Sequence, residues 1–98
     1  MAIRHVVCFK FVDDVDPASV EALRDALAEL GASLGEVLTY ELGRDVGANA
    51  ASWDFAVSAT FGDAAGYLSY RDNPRHQEII SEMVNPITAE RVSVQFEL

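Results

Sequence analysis

The chain is poor in cysteine and in lysine, with one of each among 98 residues. The single cysteine, Cys8, excludes an intrachain disulfide and any metal site built from several cysteines, and we expect it to be a small buried residue. Only 7 basic residues face 16 acidic ones, for a net charge of −9, and the basic residues form no cluster. Phosphate backbones and anionic lipid surfaces would be repelled. Nucleic acid and membranes are therefore not expected as partners.

Long apolar runs are also missing, which excludes a membrane span. Charges at Arg4, Lys10, Asp13 and Asp14 interrupt the first segment before it could serve as a signal peptide, so we expect a cytoplasmic protein. A length of 98 residues fits a single domain over residues 1–98. A domain of this size buries only about two-thirds of its unfolded surface, so a partner chain would add useful burial.

Apolar residues recur with period two in four segments, which predicts four strands. The first three cover residues 3–12, 36–44 and 53–61, and the last contains Val92, Val94, Phe96 and Leu98. On the second strand we expect Leu38, Tyr40 and Leu42 to share one face. On the third, Trp53 and Phe55 begin the apolar face.

Between the strands the period changes to that of a helix. A first helix is predicted to begin at Asp16-Pro17 and to end at Gly31. Its apolar stripe contains Val20, Leu23, Leu27 and Leu30, which we expect to pack on the strand residues Phe9, Phe11, Val57 and Phe61. A short helix over residues 64–70 and another from Pro74 to Asn85 are predicted after the third strand.

The order β-α-β-β-α-β is the ferredoxin-like arrangement, an α+β fold with helices on one face of a four-stranded antiparallel sheet. The other face is predicted to carry Val6, Cys8 and Ala56 and is too apolar for water. We therefore expect a homodimer formed through this face, in which two sheets make a dimeric α/β barrel.

Three segments resemble one family: His5 followed five residues later by Lys10-Phe11, the strand Trp53–Phe61, and Pro74-Arg75-His76 at a helix start. Over nearly its whole length the chain is similar to the stress-responsive A/B barrel (Dabb) family. This resemblance implies the dimeric barrel and a small protein of unassigned activity, although a few members are polyketide cyclases.

In those cyclases a strand histidine, a tyrosine and a helix histidine line a pocket between sheet and helices. The corresponding residues here are His5, Tyr70 and His76, so the resemblance implies His76 as base and Tyr70 as donor to an oxyanion. The implied pocket lining comprises Val7, Phe9, Leu23, Leu27 and Val57. Leu23 and Leu27 replace larger aromatic residues of the cyclases, and Gln77 stands where an apolar residue is expected, so a polyketide substrate does not follow.

Three functions thus remain open: binding of a small apolar ligand by a family member without a known reaction, an aldol-forming cyclase, and a purely structural dimer. An open cavity of about 300 Å³ or more touching His76 would favour the first two, and a filled space there would favour the structural dimer. No cofactor is expected, and no metal site is predicted, because His5, His76 and the carboxylates lack local ligand spacing.

Overall fold

The computed structural model describes residues 1–98 as a four-stranded sheet with helices on one side. The elements are β1 (Ile3–Phe11), α1 (Pro17–Ser33), β2 (Val37–Arg44), β3 (Phe55–Phe61), α2 (Ala64–Asp72), α3 (Pro74–Ile79) and β4 (Thr88–Glu97). A π-helical segment, Ile80–Val84, and a 3-10 turn, Asn85–Ile87, connect α3 to β4. The sheet order is β2-β3-β1-β4 with every pair antiparallel. The predicted ferredoxin-like fold is confirmed.

Side-chain caps fix where each helix begins. The Asp16 carboxylate accepts a hydrogen bond from the Ala18 amide at 2.9 Å, and the Asp63 carboxylate accepts one from the Gly66 amide at 2.8 Å. Asn73 separates α2 from α3, because its side chain accepts from the Arg75 amide at 2.9 Å while Pro74 opens the new helix. This break determines how the end of α2 and the start of α3 face the sheet.

The core lies between the sheet and the helices, as the two periodicities predict. One buried cluster joins the helix stripe to the strand aromatics. It contains Leu23, Leu27 and Leu30 together with Phe9, Phe11, Val57 and Phe61. No helix is both long enough and apolar enough to cross a membrane.

The predicted end of the first helix at Gly31 is wrong, because α1 continues to Ser33 and Leu34 follows it as the C-cap. Gly31 is buried within the last turns of the helix. A Cβ atom there would lie 2.6 Å from Cδ2 of Tyr40, on β2. Glycine is therefore required for the close approach of the Tyr40 ring and not for a turn.

Two strand predictions also need correction. Leu38 does not share a face with Tyr40 and Leu42, because the register of β2 against β3 shifts between Val37 and Thr39 and leaves Leu38 62% exposed. Trp53 precedes β3, which begins at Phe55. It is only partly buried and does not belong to the buried cluster, in which Phe55 is the first residue of β3, so Trp53 does not begin the core-facing row.

Gly31→Ala is expected to destabilise the fold by about 1–3 kcal/mol, although alanine is the better helix former by roughly 1 kcal/mol. The added methyl group would displace the Tyr40 ring. Denaturant unfolding measures the loss. Gly35→Ala is the control, since nothing lies within 4 Å of its Cβ position, and its effect should stay within about 0.5 kcal/mol. Equal stability of the two variants would contradict the close-approach role of Gly31.

The sheet face away from the helices is apolar and uncovered. Val6 pairs with Val94 and Cys8 pairs with both Val92 and Ala56, and directly paired residues share a face. On β4, Val92, Val94 and Phe96 are 52%, 58% and 45% exposed. We call the set Val6, Cys8, Ala56, Val92, Val94 and Phe96 the open face. The open face contains Val6, Cys8 and Ala56, the three residues that the sequence predicted to lie on an uncovered apolar surface.

Candidate functional site

A cavity of about 240 Å³ lies on the helix side of the sheet. Its walls come from all four strands and α1, and from the segment running from α2 through α3 into the π-helical segment. The polar lining residues are His5, Tyr40, Tyr67, Tyr70, Arg71, His76, Gln77, Arg91 and Ser93; the apolar ones are Val7, Phe9, Leu27, Val57, Ile80 and Val84. No carboxylate lines the cavity, although the chain has 16 acidic residues.

The structure brings His5 together with Tyr70 and His76 at this cavity, although His5 is far from the other two in sequence. The rings of Tyr70 and His76 are 4.4 Å apart between centroids, and those of His5 and Tyr70 are 6.1 Å apart. His5 points to the helix side because it shares a face of β1 with buried Val7, two residues further along the strand. The Asn73-Pro74 break lets the last turn of α2 and the first turn of α3 converge on the same space.

Four of the five apolar residues predicted to line a pocket do so: Val7, Phe9, Leu27 and Val57. Leu23 does not. It lies one helical turn before Leu27, or about 6 Å along α1, and is completely buried in the core. Leu27 is therefore the residue through which the α1 stripe reaches the cavity.

His5 is held as a neutral imidazole. Its Nδ1 lies 2.9 Å from the side-chain nitrogen of Gln95, which faces it across the β1–β4 pair. An amide nitrogen only donates, so Nδ1 of His5 accepts and the ring proton is on Nε2. Burial lowers the pKa of His5 to about 4, with a smaller contribution from His76. At neutral pH His5 is thus an N–H donor through Nε2.

His76 has the opposite tautomer. Its Nδ1 lies 2.9 Å from the backbone carbonyl of Arg71, and since a carbonyl only accepts, Nδ1 carries the proton. Nε2 is left unprotonated and has no hydrogen-bond partner in the protein. Burial lowers the pKa of His76 and is the largest effect; the bond to Arg71 raises this pKa, and the charges of Arg91 and Asp72 lower and raise it by smaller amounts. The imidazole is therefore a free base at neutral pH.

Three tyrosines complete the polar part of the cavity. The hydroxyls of Tyr40 and Tyr70 are 2.8 Å apart, and burial raises the pKa of both. One of the two hydroxyls donates its proton to the other in this hydrogen bond. The hydroxyl that accepts keeps its own O–H, which can donate to a ligand. Tyr67, whose ring centroid is 5.0 Å from that of His5, makes no hydrogen bond within the protein through its hydroxyl. The cavity thus offers phenol donors next to a free imidazole base.

Sequence reasoning missed Tyr40, Tyr67, Gln95 and Arg91. Tyr67 could have been found, since it lies three residues before Tyr70 and so on the same helix face. Gln95 and Arg91 alternate with the exposed valines of β4 and look like ordinary solvent-facing residues. Only the β1–β4 register places Gln95 opposite His5 and Arg91 opposite Phe9. No group of three His, Cys, Asp or Glu side chains is placed to hold a metal ion.

The depressed pKa of His5 predicts acid destabilisation. Between pH 6.5 and about 4 the unfolded chain binds a proton at His5 that the folded chain does not, so stability should fall as the pH falls through this window. A shift of this size corresponds to about 3 kcal/mol when fully developed. His76, Tyr67 and Tyr70 face His5, and no carboxylate is near to offset the cost.

Urea unfolding of wild type and His5→Gln between pH 7.5 and 4 measures this contribution. The carboxylates common to both proteins cancel when the two are compared. The free energy of unfolding of wild type, relative to that of His5→Gln, should therefore fall by about 3 kcal/mol between about pH 7.5 and pH 4. Parallel stability curves would show that His5 titrates alike in the folded and unfolded chains.

Comparison with known proteins shows the family. The family model for the stress-responsive A/B barrel domain matches residues 3–98. A dimeric ferredoxin-like protein of unknown function from Thermobifida fusca is 39% identical, with a TM-score of 0.92 over 100% of this chain and 92% of that chain. No curated protein is significantly similar in sequence.

More distant structures share the fold and carry enzyme names. Hydroxynitrile lyase from Passiflora edulis is 19% identical, with a TM-score of 0.85 over 99% of this chain and 93% of that chain. SnoaB, a cofactor-independent oxygenase from Streptomyces nogalater, is 13% identical, with a TM-score of 0.78 over 99% of this chain and 92% of that chain. At these identities the likeness concerns the fold alone. The family match over residues 3–98 is what decides membership: this chain belongs to the stress-responsive A/B barrel family.

Proposed function

We propose that this protein is an acid–base enzyme that removes a proton from carbon next to the carbonyl group of a small, largely apolar compound. His76 is the base and a tyrosine hydroxyl, from Tyr70 or its neighbour Tyr67, stabilises the resulting enolate oxygen. His5 donates a second hydrogen bond through Nε2. The reaction class includes the aldol chemistry of the family's cyclases.

One observation carries the proposal: the bond from Nδ1 of His76 to the Arg71 carbonyl leaves Nε2 as a free base at the cavity. A base must be unprotonated at working pH, and burial keeps the pKa of His76 below its usual value. In the reaction Nε2 would take the proton from carbon, the enolate oxygen would accept from the phenol, and the imidazolium would then return a proton to carbon. This cycle needs no oxidant or reductant.

The size and lining of the cavity favour a short substrate. A volume of about 240 Å³ lies just below the range of roughly 300–1,000 Å³ for drug-sized ligands. A long poly-β-keto chain would not fit within it, whereas a compound with one ring or a short chain would. The apolar wall from Val7, Phe9 and Leu27 suits the body of such a compound. The enzyme names of the Passiflora edulis and Streptomyces nogalater proteins support a catalytic use of the fold.

The test is exchange of the carbon-bound proton for deuterium in heavy water. A panel of small ketones, aldehydes and keto acids, such as phenylacetone, phenylacetaldehyde and phenylpyruvate, is incubated with the protein and followed by proton NMR. We expect at least one member to lose its α-proton signal faster than with buffer alone. Binding of these compounds without any acceleration would favour the ligand-binding alternative. Neither binding nor exchange would favour the structural dimer.

We further propose that residues 1–98 form one domain that pairs with a second copy through the open face. The Thermobifida fusca relative is described as dimeric. In this chain three large side chains on β4 are about half exposed on the open face, which is unusual for a surface that remains in water. Pairing of two such faces would place the two cavities on the outer, helix-covered sides of the barrel.

A further inference from the structure

We propose that the compound that occupies the cavity is an anion, a small carboxylate-bearing carbonyl compound whose carboxylate binds Arg91. This inference rests on the proposed function and names its substrate class. The cavity contains two arginines and no carboxylate, in a protein whose net charge is −9. A positively lined cavity in an acidic protein is a distribution that selects anions.

Arg91, not Arg71, is the free cation of the cavity. Arg71 is engaged with Asp72 through two hydrogen bonds, of 2.9 and 3.2 Å. Arg91 has no carboxylate within 4.0 Å and makes no side-chain hydrogen bond in the protein. Its guanidinium therefore keeps its donors for a ligand, and their planar fork matches a carboxylate in two parallel hydrogen bonds.

The position of Arg91 sets the carboxylate at the opposite end of the cavity from His5. Arg91 is paired with Phe9 and lies four residues before Gln95, the partner of His5, so the two positions are about 13 Å apart along β4. Arg91 also acts electrostatically on His76, since its charge helps to lower the pKa of that histidine. A carboxylate on Arg91 would thus place the rest of a short molecule toward His76.

The experiment compares two probes of equal size, phenylacetate and phenylacetamide, titrated into the protein at low salt and followed by NMR. We expect wild type to bind phenylacetate about tenfold or more tightly, despite the unfavourable net charge. Arg91→Gln should remove this preference and leave phenylacetamide binding unchanged. Arg24→Gln is the matched control, because Arg24 is exposed on α1 outside the cavity and its loss changes the net charge equally.

The outcomes separate this inference from the proposed function. Equal binding of the two probes to wild type, or an unchanged preference in Arg91→Gln, overturns the anion site while leaving the cavity as a ligand site. Loss of both probes in Arg91→Gln overturns it too, since Arg91 would then support the cavity and not the charge. If neither probe perturbs His5 or His76 signals in wild type, both the anion site and the proposed ligand cavity are contradicted.

Discussion

His76→Gln is expected to lower the rate of α-proton exchange by about 10²–10⁴-fold, the usual contribution of a positioned general base. Glutamine preserves the length of the side chain and can still donate to the Arg71 carbonyl, so the start of α3 should remain intact. What it cannot supply is a basic nitrogen in the place of Nε2. The measurement is the exchange assay on the best member of the carbonyl panel, with wild type and variant at equal concentration.

The pH profile gives a second readout that a structural role would not produce. Exchange by wild type should rise with pH through the pKa of His76, which burial places below 6.5, and should then level off. Arg75→Gln, an exposed neighbour paired with Glu78 outside the cavity, should retain the wild-type rate and profile. Wild-type exchange by folded His76→Gln would assign the base to another group.

The family resemblance indicates His5, Tyr70 and His76 as candidates, and the sequence pattern predicts where the two histidines lie. His5 takes its place in the alternation of β1, and Pro74 fixes the start of the helix on which His76 lies. Their immediate surroundings could not be predicted. The tautomers depend on Gln95 and on the Arg71 carbonyl, and neither contact follows from a local period.

The errors in the fold have a similar cause. Gly31 has the residue type of a helix end, but a ring from β2 requires the glycine inside the helix. Leu38 follows the alternation of its strand, but one irregular pair against β3 turns it outward. Local patterns predict the type of each element, whereas contacts between distant segments decide the register and the role of individual residues.

Val94→Asp is expected to weaken the dimer by about 10³-fold or more and to give a monomer at micromolar concentration. Val94 is 58% exposed in the single chain and is paired with Val6, so the change should leave the monomer fold intact. In a twofold-symmetric interface each substitution occurs twice, and two unpaired carboxylates would be buried at a cost of at least about 2 kcal/mol each. Sedimentation velocity over a concentration series measures the change in assembly.

Val46→Asp is the matched control, since it adds the same charge to a valine that is 90% exposed between β2 and β3, outside the open face. It should sediment like wild type. If wild type itself is a monomer at micromolar concentration, or if Val94→Asp remains dimeric, the open face is not the interface. If instead only Val94→Asp dissociates and its cavity still binds ligand, each cavity functions within one chain, because Val94 lies on the face of the sheet opposite to His5.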